Sequence, residues 1–310
     1  MKYIFGIDIG GTTIKMGLFD KEGNLLDKWE IPTNTKQKGI HILPEVAESL
    51  QKKLEEKNIH KEDILGAGLG VPGPVTADGV VNHCINLGWE KFSVAKELEA
   101  MIGFSVKAAN DANAAALGEI WQGSGKGYES VLLVTIGTGI GGGLVLNGKI
   151  HAGVTGSGGE IGHICVNPTE TLPCSCGNYG CMEQYTSATG VLRMAKQRLT
   201  ETNTPSVLRQ KEALTTKDVL DGAKTGDALS LGVVDTMADI MGRSLAICCS
   251  VADMELIILG GGVSKAGKFL LDKVQEYYKK YAFHTQKDTE FRLAVLGNDA
   301  GIYGAARLMI

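Results

Sequence analysis

The chain has 310 residues, enough to bury a large core and form two domains, and its 44% hydrophobic and 21% charged residues are ordinary for a globular protein. A formal net charge of −4 gives no electrostatic case for nucleic acid or an anionic membrane. The longest apolar stretch, Met237 to Leu259, is interrupted by Asp239, Arg243, Asp253 and Glu255, which excludes a membrane span. Tyr3-Ile4-Phe5 follows a single lysine, so no signal peptide is expected ahead of the first strand. With seven cysteines, an odd number, the expectation is a reducing cytoplasm rather than a disulfide framework.

In chain order, residues 3–19 read as two strands joined at Gly10-Gly11-Thr12-Thr13, and Leu25 to Ile31 as a third. Leu43, Val46, Ala47, Leu50 and Leu54 share one helical face between Gly39 and Asn58. Ile64 to Val71 is a strand stopped by Pro72-Gly73-Pro74. Val94 to Met101 reads as helix, Ser105 to Ala109 as extended and Ala112 to Trp121 as helix. Strands follow from Val131 to Ile150, then an irregular segment to Gly180. Helices are predicted from Cys181 to Leu199, at 216–223 and at 227–252. A strand at 255–259 precedes an amphipathic helix with Leu270, Val274, Tyr277 and Tyr281 on one side. Phe291 to Leu296 reads as the last strand, before a closing helix from Gly301. The alternation, with an opening meander in each half, predicts an α/β protein of two similar domains with a ligand cleft between them. The expected domains are 1–118 with the C-terminal helix at 301–310, and 119–300.

The half-repeat is plainest in the glycines. Val131 to Leu144, V-L-L-V-T-I-G-T-G-I-G-G-G-L, is a buried strand running into a turn at Gly137-Thr138-Gly139. I-F-G-I-D-I-G-G-T-T-I-K-M-G-L (Ile4 to Leu18) has the same form, and L-I-I-L-G-G-G-V (Leu256 to Val263) has it in part. Backbone N–H groups and threonine hydroxyls at such turns cradle phosphate oxygens, and the carboxylate of Asp8 beside one of them can hold Mg²⁺. A plain hairpin carrying an Asp is the competing reading. Lys15 fits equally a phosphate contact and an exposed strand position. Asn110 and Asp111 fall at a strand-to-helix junction, where one can be an N-cap or the carboxylate can point into a cleft.

D-I-G-G-T-T-I-K, V-P-G-P-V, N-D-A-N-A-A-A-L-G-E, I-G-T-G-I-G-G-G and G-E-I-G-H-I, followed by C-S-C-G-N-Y-G-C-M-E, stand in the order seen in ROK-family sugar kinases. The resemblance spans Gly6 to the final helix. It implies the actin-like ATPase/hexokinase (ribonuclease H-like) fold and ATP-dependent, Mg²⁺-dependent phosphorylation of a hexose, with glucose at O6 leading. Asp111 would be the catalytic base. Asn110, Glu160, His163 and Glu183 would bind sugar hydroxyls; apart from the resemblance, Asn86 and the Pro72-Gly73-Pro74 turn, with Gly73 at its centre, are expected at the edge of a sugar pocket. Gly10, Gly11, Thr12, Thr13, Gly137, Thr138 and Gly139 would surround the ATP phosphates, beside the Asp8 and Lys15 singled out above, with Gly260, Gly261 and Gly262 near the adenosine. Fructose, mannose, N-acetylglucosamine or N-acetylmannosamine are the alternative substrates, and a homodimer or a dimer of dimers is implied.

His163-x10-Cys174-x-Cys176-x4-Cys181 is a separate signal: one imidazole and three thiols suit a closed, structural Zn²⁺ site. The resemblance implies the same four ligands. Unligated loop thiols are the bland alternative. Cys248 and Cys249 read as core, Trp89 and Trp121 as core or interface aromatics, and His83 and His151 as surface residues. A sugar-responsive repressor would need a DNA-binding segment ahead of the first strand. A filament or chaperone ATPase would need neither the His/Cys cluster nor the carboxylates and amide around Asp111.

Overall fold

The computed structural model describes residues 2–310. In chain order the elements are β1 (Tyr3–Ile9), β2 (Thr13–Asp20), β3 (Leu25–Pro32), the short turn α1 (Lys36–Gly39), α2 (Ile42–Lys57), β4 (Ile64–Val71), β5 (Val80–Val81), β6 (Phe92–Ser93), α3 (Val94–Ile102), β7 (Val106–Asn110) and α4 (Asp111–Gln122). They continue as β8 (Val131–Ile136), β9 (Ile140–Leu146), β10 (Lys149–Ile150), α5 (Glu183–Thr186), α6 (Ala188–Glu201), α7 (Thr216–Lys224) and α8 (Ala228–Ala252). The chain closes with β11 (Leu256–Gly260), α9 (Gly261–Ser264), α10 (Lys268–Tyr281), β12 (Glu290–Leu293) and α11 (Ala300–Arg307).

Two five-stranded sheets share one plan, β3-β2-β1-β4-β7 and β10-β9-β8-β11-β12. In the first, β1 pairs antiparallel with β2 and parallel with β4, whose other neighbour β7 is also parallel. Packing divides the chain into two units. One comprises the chain up to Leu133 with Gly143–Gly159 and Val295–Ile310; the other is Val134–Gly142 with Glu160–Ala294. This division falls later than residue 118, because α4 runs unbroken to Gln122 and packs on α11.

The period-two alternation of β1 sets up the first unit. Phe5, Ile7 and Ile9 face a core with Leu43, Val46, Leu50 and Leu54 of α2, each fully buried aliphatic contributing about 1.5–3 kcal/mol. Ile4 faces the other way, with Phe19, Ile302 and Ala306. On that second face α11 approaches so closely that side chains are excluded. A Cβ on Gly6 would lie 2.0 Å from the carbonyl oxygen of Ile302, and one on Gly68 1.7 Å from that of Ala305. A Cβ on Gly304 would lie 1.5 Å from the carbonyl oxygen of Ala114 in α4.

In the second unit, two expectations fail. The helix predicted from Cys181 to Leu199 is broken at Ser187, whose backbone is extended and whose side-chain hydroxyl caps α6 by accepting the N–H of Gly190 at 3.1 Å. On α10, Leu270, Val274 and Tyr278 are buried, whereas Tyr281 is exposed. The Tyr278 hydroxyl reaches the Gln286 carbonyl and Thr289, each at 3.0 Å, so its polar tip is satisfied inside the core.

Candidate active site and thiol cluster

In the first unit, Asp8, the last residue but one of β1, lies on the face turned to α11, and a Cβ on Gly301 would lie 2.6 Å from its carboxyl carbon. Burial, then the negative charge of Asp111, pushes the Asp8 carboxyl up to about 6 against the opposing pull of Lys15. Lys15 stands directly across the ladder from Asp8, and its ammonium donates to the Asn298 carbonyl at 3.0 Å. In the turn that follows, the Thr33 hydroxyl donates to the Gly10 carbonyl at 2.6 Å and the Thr33 N–H to that of Thr12 at 2.9 Å. Two acceptor oxygens that would repel a phosphate are thereby tied down, while Gly11 and Thr12 are exposed.

At the Asn110-Asp111 junction the capping residue is the first of the two. Asn110 is the N-cap of α4: its Oδ1 accepts the N–H of Asn113 at 3.1 Å. Its Nδ2 donates to the Gly73 carbonyl at 3.1 Å and to Asp111 Oδ1 at 3.0 Å. Asp111 Oδ1 also accepts the Ala112 N–H at 2.8 Å. The capping amide therefore orients the carboxylate and pins the Pro72-Gly73-Pro74 turn, where Gly73 takes a φ of +97°. Asp8 and Asp111 are neighbours across Gly70, whose Cβ would lie 3.5 Å from Asp8 Oδ1 and 3.7 Å from the Asp111 Cα. Two carboxylates so placed suit a divalent cation, which relieves their repulsion.

Sequence reasoning missed two buried residues of α4. Asn113 Oδ1 accepts the Leu144 N–H at 2.9 Å, and its amide approaches the Gly158 carbonyl at 3.5 Å, two residues before Glu160. Glu119 is fully buried and accepts four hydrogen bonds, from Ser124 N–H and hydroxyl and from the Val295 and Leu296 N–H groups. Both lie in the N-D-A-N-A-A-A-L-G-E stretch, but only a polar residue on a helix rich in alanine pointed to these contacts.

In the second unit, the turn Gly137-Thr138-Gly139 is held by the start of α6. Ala188 N–H donates to the Gly137 carbonyl and the Thr189 hydroxyl to that of Thr138, both at 2.8 Å. Gly137, Thr138 and Gly262 line a cavity of about 450 Å³, together with Thr216, Lys217, Leu220, Asp221 and Lys224 of α7 and Lys265. Gly260 and Gly261 do not line it. Gly261, with φ +82°, instead lets the chain pass the Ile136 backbone, which a Cβ would meet at 2.6 Å. The α7 wall was not expected from sequence; Thr215 and Asp218 mark it only as a well-capped helix.

His163, Cys174, Cys176 and Cys181 come together with all four ligand atoms within 4.8 Å of one another. Cys176 and Cys181 Sγ are 3.7 Å apart, and Cys174 Sγ is 3.8 Å from His163 Nδ1. Ligands of a tetrahedral zinc ion lie roughly 3.5–3.8 Å apart, so the donor set fits. Burial, then the neighbouring thiols, pushes Cys181 up to about 12, so a cation is the natural means of ionising the group. His163 turns its other nitrogen, Nε2, toward Glu160 Oε2 at 3.9 Å. Glu183 Oε1 accepts from the Cys174 thiol at 3.0 Å and the Ser175 hydroxyl at 2.8 Å, while its Oε2 lies 3.4 Å from the Ile140 N–H. Glycine at 139 leaves that oxygen room, since a Cβ there would lie 2.7 Å from it. Tyr185 and Arg193 brace the loop through Glu170, at 2.6 and 2.9 Å.

The paired sheets of common strand order, with glycine turns at their strand ends, define an actin-like ATPase fold. Within that class the chain belongs to the ROK family, whose model matches residues 4–310. A glucokinase of Halalkalibacterium halodurans is 44% identical over 99% of this chain and 95% of its own. An N-acetylgalactosamine kinase of a Shewanella species is 31% identical over 98% of this chain and 96% of its own. The crystal structure of a ROK family glucokinase from Streptomyces griseus, in complex with glucose and AMPPNP, superposes with a TM-score of 0.76 at 32% identity, covering 99% of this chain and 98% of that one. Among the described residues no helix is long and apolar enough to cross a membrane.

Proposed function

We propose that the chain is a kinase that transfers the γ-phosphoryl group of ATP to O6 of glucose. The observation that carries this reading is the 44% identity to a glucokinase over nearly the whole of both chains. Asp111 is the general base: its carboxylate, oriented by the Asn110 amide, takes the proton of the attacking hydroxyl as the new P–O bond forms in line with the leaving ADP oxygen. Glu160, His163 and Glu183 bind sugar hydroxyls, supported by their polar, partly exposed side chains; carboxylates and an imidazole suit groups that both donate and accept. Gly73 edges the same sugar. Gly10 to Thr13, Lys15 and Gly137 to Gly139 cradle the phosphates. The α7-lined cavity beside Gly262 suits the adenosine.

Asp8 would hold Mg²⁺, which would supply charge neutralisation on the phosphates and leave Asp111 free to act as the base. His163, Cys174, Cys176 and Cys181 hold a structural Zn²⁺; His163 Nδ1 faces the cluster and leaves Nε2 for sugar. A cytoplasmic homodimer belongs to the same proposal and rests on the family resemblance.

The N-acetylgalactosamine kinase among the relatives favours a second reading, in which another hexose or an N-acetylhexosamine is the substrate. A coupled ADP-release assay with glucose, mannose, fructose, N-acetylglucosamine, N-acetylmannosamine and N-acetylgalactosamine separates the two. Glucose is expected to lead in kcat/KM by at least about tenfold. A different leading sugar overturns the substrate and keeps the chemistry; no turnover with any sugar overturns the kinase.

A further inference from the structure

Cys165 is no member of the four-residue cluster, yet it faces one member across a β-bridge. Cys165 and Cys181 are the opposed residues of an isolated antiparallel bridge. The hydrogen bonds on either side run from Val166 N–H to the Gly180 carbonyl, 2.7 Å, and from Met182 N–H to the Ile164 carbonyl, 2.8 Å. Bonds that flank an opposed pair mark it as non-hydrogen-bonded, with Cα atoms roughly 4.5 Å apart and both side chains on one face. A disulfide needs Cα atoms about 4.4–6.8 Å apart, so this pair can close without moving the backbone. The two thiols differ in access: Cys165 is exposed and Cys181 is fully buried.

We infer that Cys165 is a site of oxidative modification, at which a peroxide-class oxidant couples the chain to Cys181 as a disulfide. Hydrogen peroxide oxidises the Cys165 thiol to a sulfenic acid and releases one water. The Cys181 sulfur attacks that sulfur, the S–S bond forms, and the sulfenic oxygen leaves as a second water, drawing a proton from solvent where Cys181 is a thiolate. Two sulfurs lose two electrons, and the peroxide takes them up. Cys181 then has no thiolate to offer a cation, and the cluster falls to three ligands. Glu183, two residues further on and bonded to Cys174 and Ser175, loses its support. The consequence for zinc rests on the zinc reading above; the disulfide itself does not.

The test treats purified, zinc-loaded protein with hydrogen peroxide. It reads zinc release with a chromogenic chelator and maps disulfides by mass spectrometry of unreduced peptides, beside a Cys165→Ser variant. The expected result is a peptide joining Cys165 to Cys181, zinc loss in step with it, and recovery of both on adding a thiol reductant and zinc. Cys165→Ser should release zinc at least about tenfold more slowly, with unoxidised activity unchanged. Zinc leaving at equal rates from both proteins, or disulfides confined to Cys174, Cys176 and Cys181, overturns the inference. The map reads the thiol pair whether or not zinc is bound, so a protein purified without zinc sinks the zinc reading alone.

Discussion

Glu119→Gln tests how the first unit holds its own ends together. The wild-type carboxylate spends both oxygens: Oε1 accepts Val295 N–H at 3.0 Å and Leu296 N–H at 2.9 Å, and Oε2 accepts Ser124 N–H at 2.9 Å and its hydroxyl at 3.1 Å. An amide has the same shape but only one oxygen. Whichever way it turns, its NH₂ faces a pair of donors. Hydrogen bonds to a charged group are worth about 1.5–3 kcal/mol each, and the relieved cost of burying the charge offsets part of the loss, so the net is about 2–4 kcal/mol. For a unit of this size that is a fall in Tm of about 5–15 °C. Val295 and Leu296 lead into α11, whose Gly301 packs on Asp8, and Glu119 lies on the helix that begins at Asp111, so activity should fall as well. Scanning calorimetry and urea titration at neutral pH read the effect, with Glu119→Ala as a harsher control. A Glu119→Gln protein melting within about 1 °C of wild type would refute the reasoning.

Gly304→Ala places a methyl where the Ala114 carbonyl already stands. It should cost about 3 kcal/mol or more by forcing α11 off α4, and an unchanged denaturation midpoint would count against that close crossing. Asp8 titrates near 6 because burial and Asp111 disfavour its charge, so it is ionised above that value and neutral below it. The affinity for a magnesium-loaded, non-hydrolysable ATP analogue should fall by up to about tenfold per pH unit below 6, and Asp8→Asn should flatten the profile; equal calorimetric Kd values at pH 5 and 7.5 in the wild type would contradict this. Stripping zinc with a chelator should abolish activity while far-ultraviolet circular dichroism keeps most of its signal. Full activity in a verified metal-free sample would sink the zinc reading.

Local chemistry was legible wherever it was written in neighbouring residues. The strand Ile64–Val71 follows from its apolar run and the proline stop, and the glycine turns after β1 and β8 from the abrupt end of their β-branched stretches. The His/Cys cluster was legible from spacing alone, because a loop with glycines at 177 and 180 can fold back on itself. What stayed hidden depends on distant partners. Ser187 interrupts a helical pattern because the start of α6 must meet the Gly137-Thr138 turn, some fifty residues earlier in the chain. Tyr278 rather than Tyr277 or Tyr281 is inward, since Gln286 and Thr289 offer its hydroxyl partners. Glu119 and the Lys217, Asp221 and Lys224 wall of the cavity look like ordinary helix-surface residues until tertiary contacts assign them.

Asp111→Asn, assayed for glucose 6-phosphate by phosphorus NMR with glucose and MgATP, bears most directly on the central claim. The amide keeps the shape and the contacts to Asn110 and Ala112 but cannot accept the hydroxyl proton. Wild-type protein should form glucose 6-phosphate, and the variant should lose at least about 10²-fold in kcat while binding glucose with similar affinity by calorimetry. No glucose 6-phosphate from the wild type, or near-normal turnover by the variant, would contradict the account.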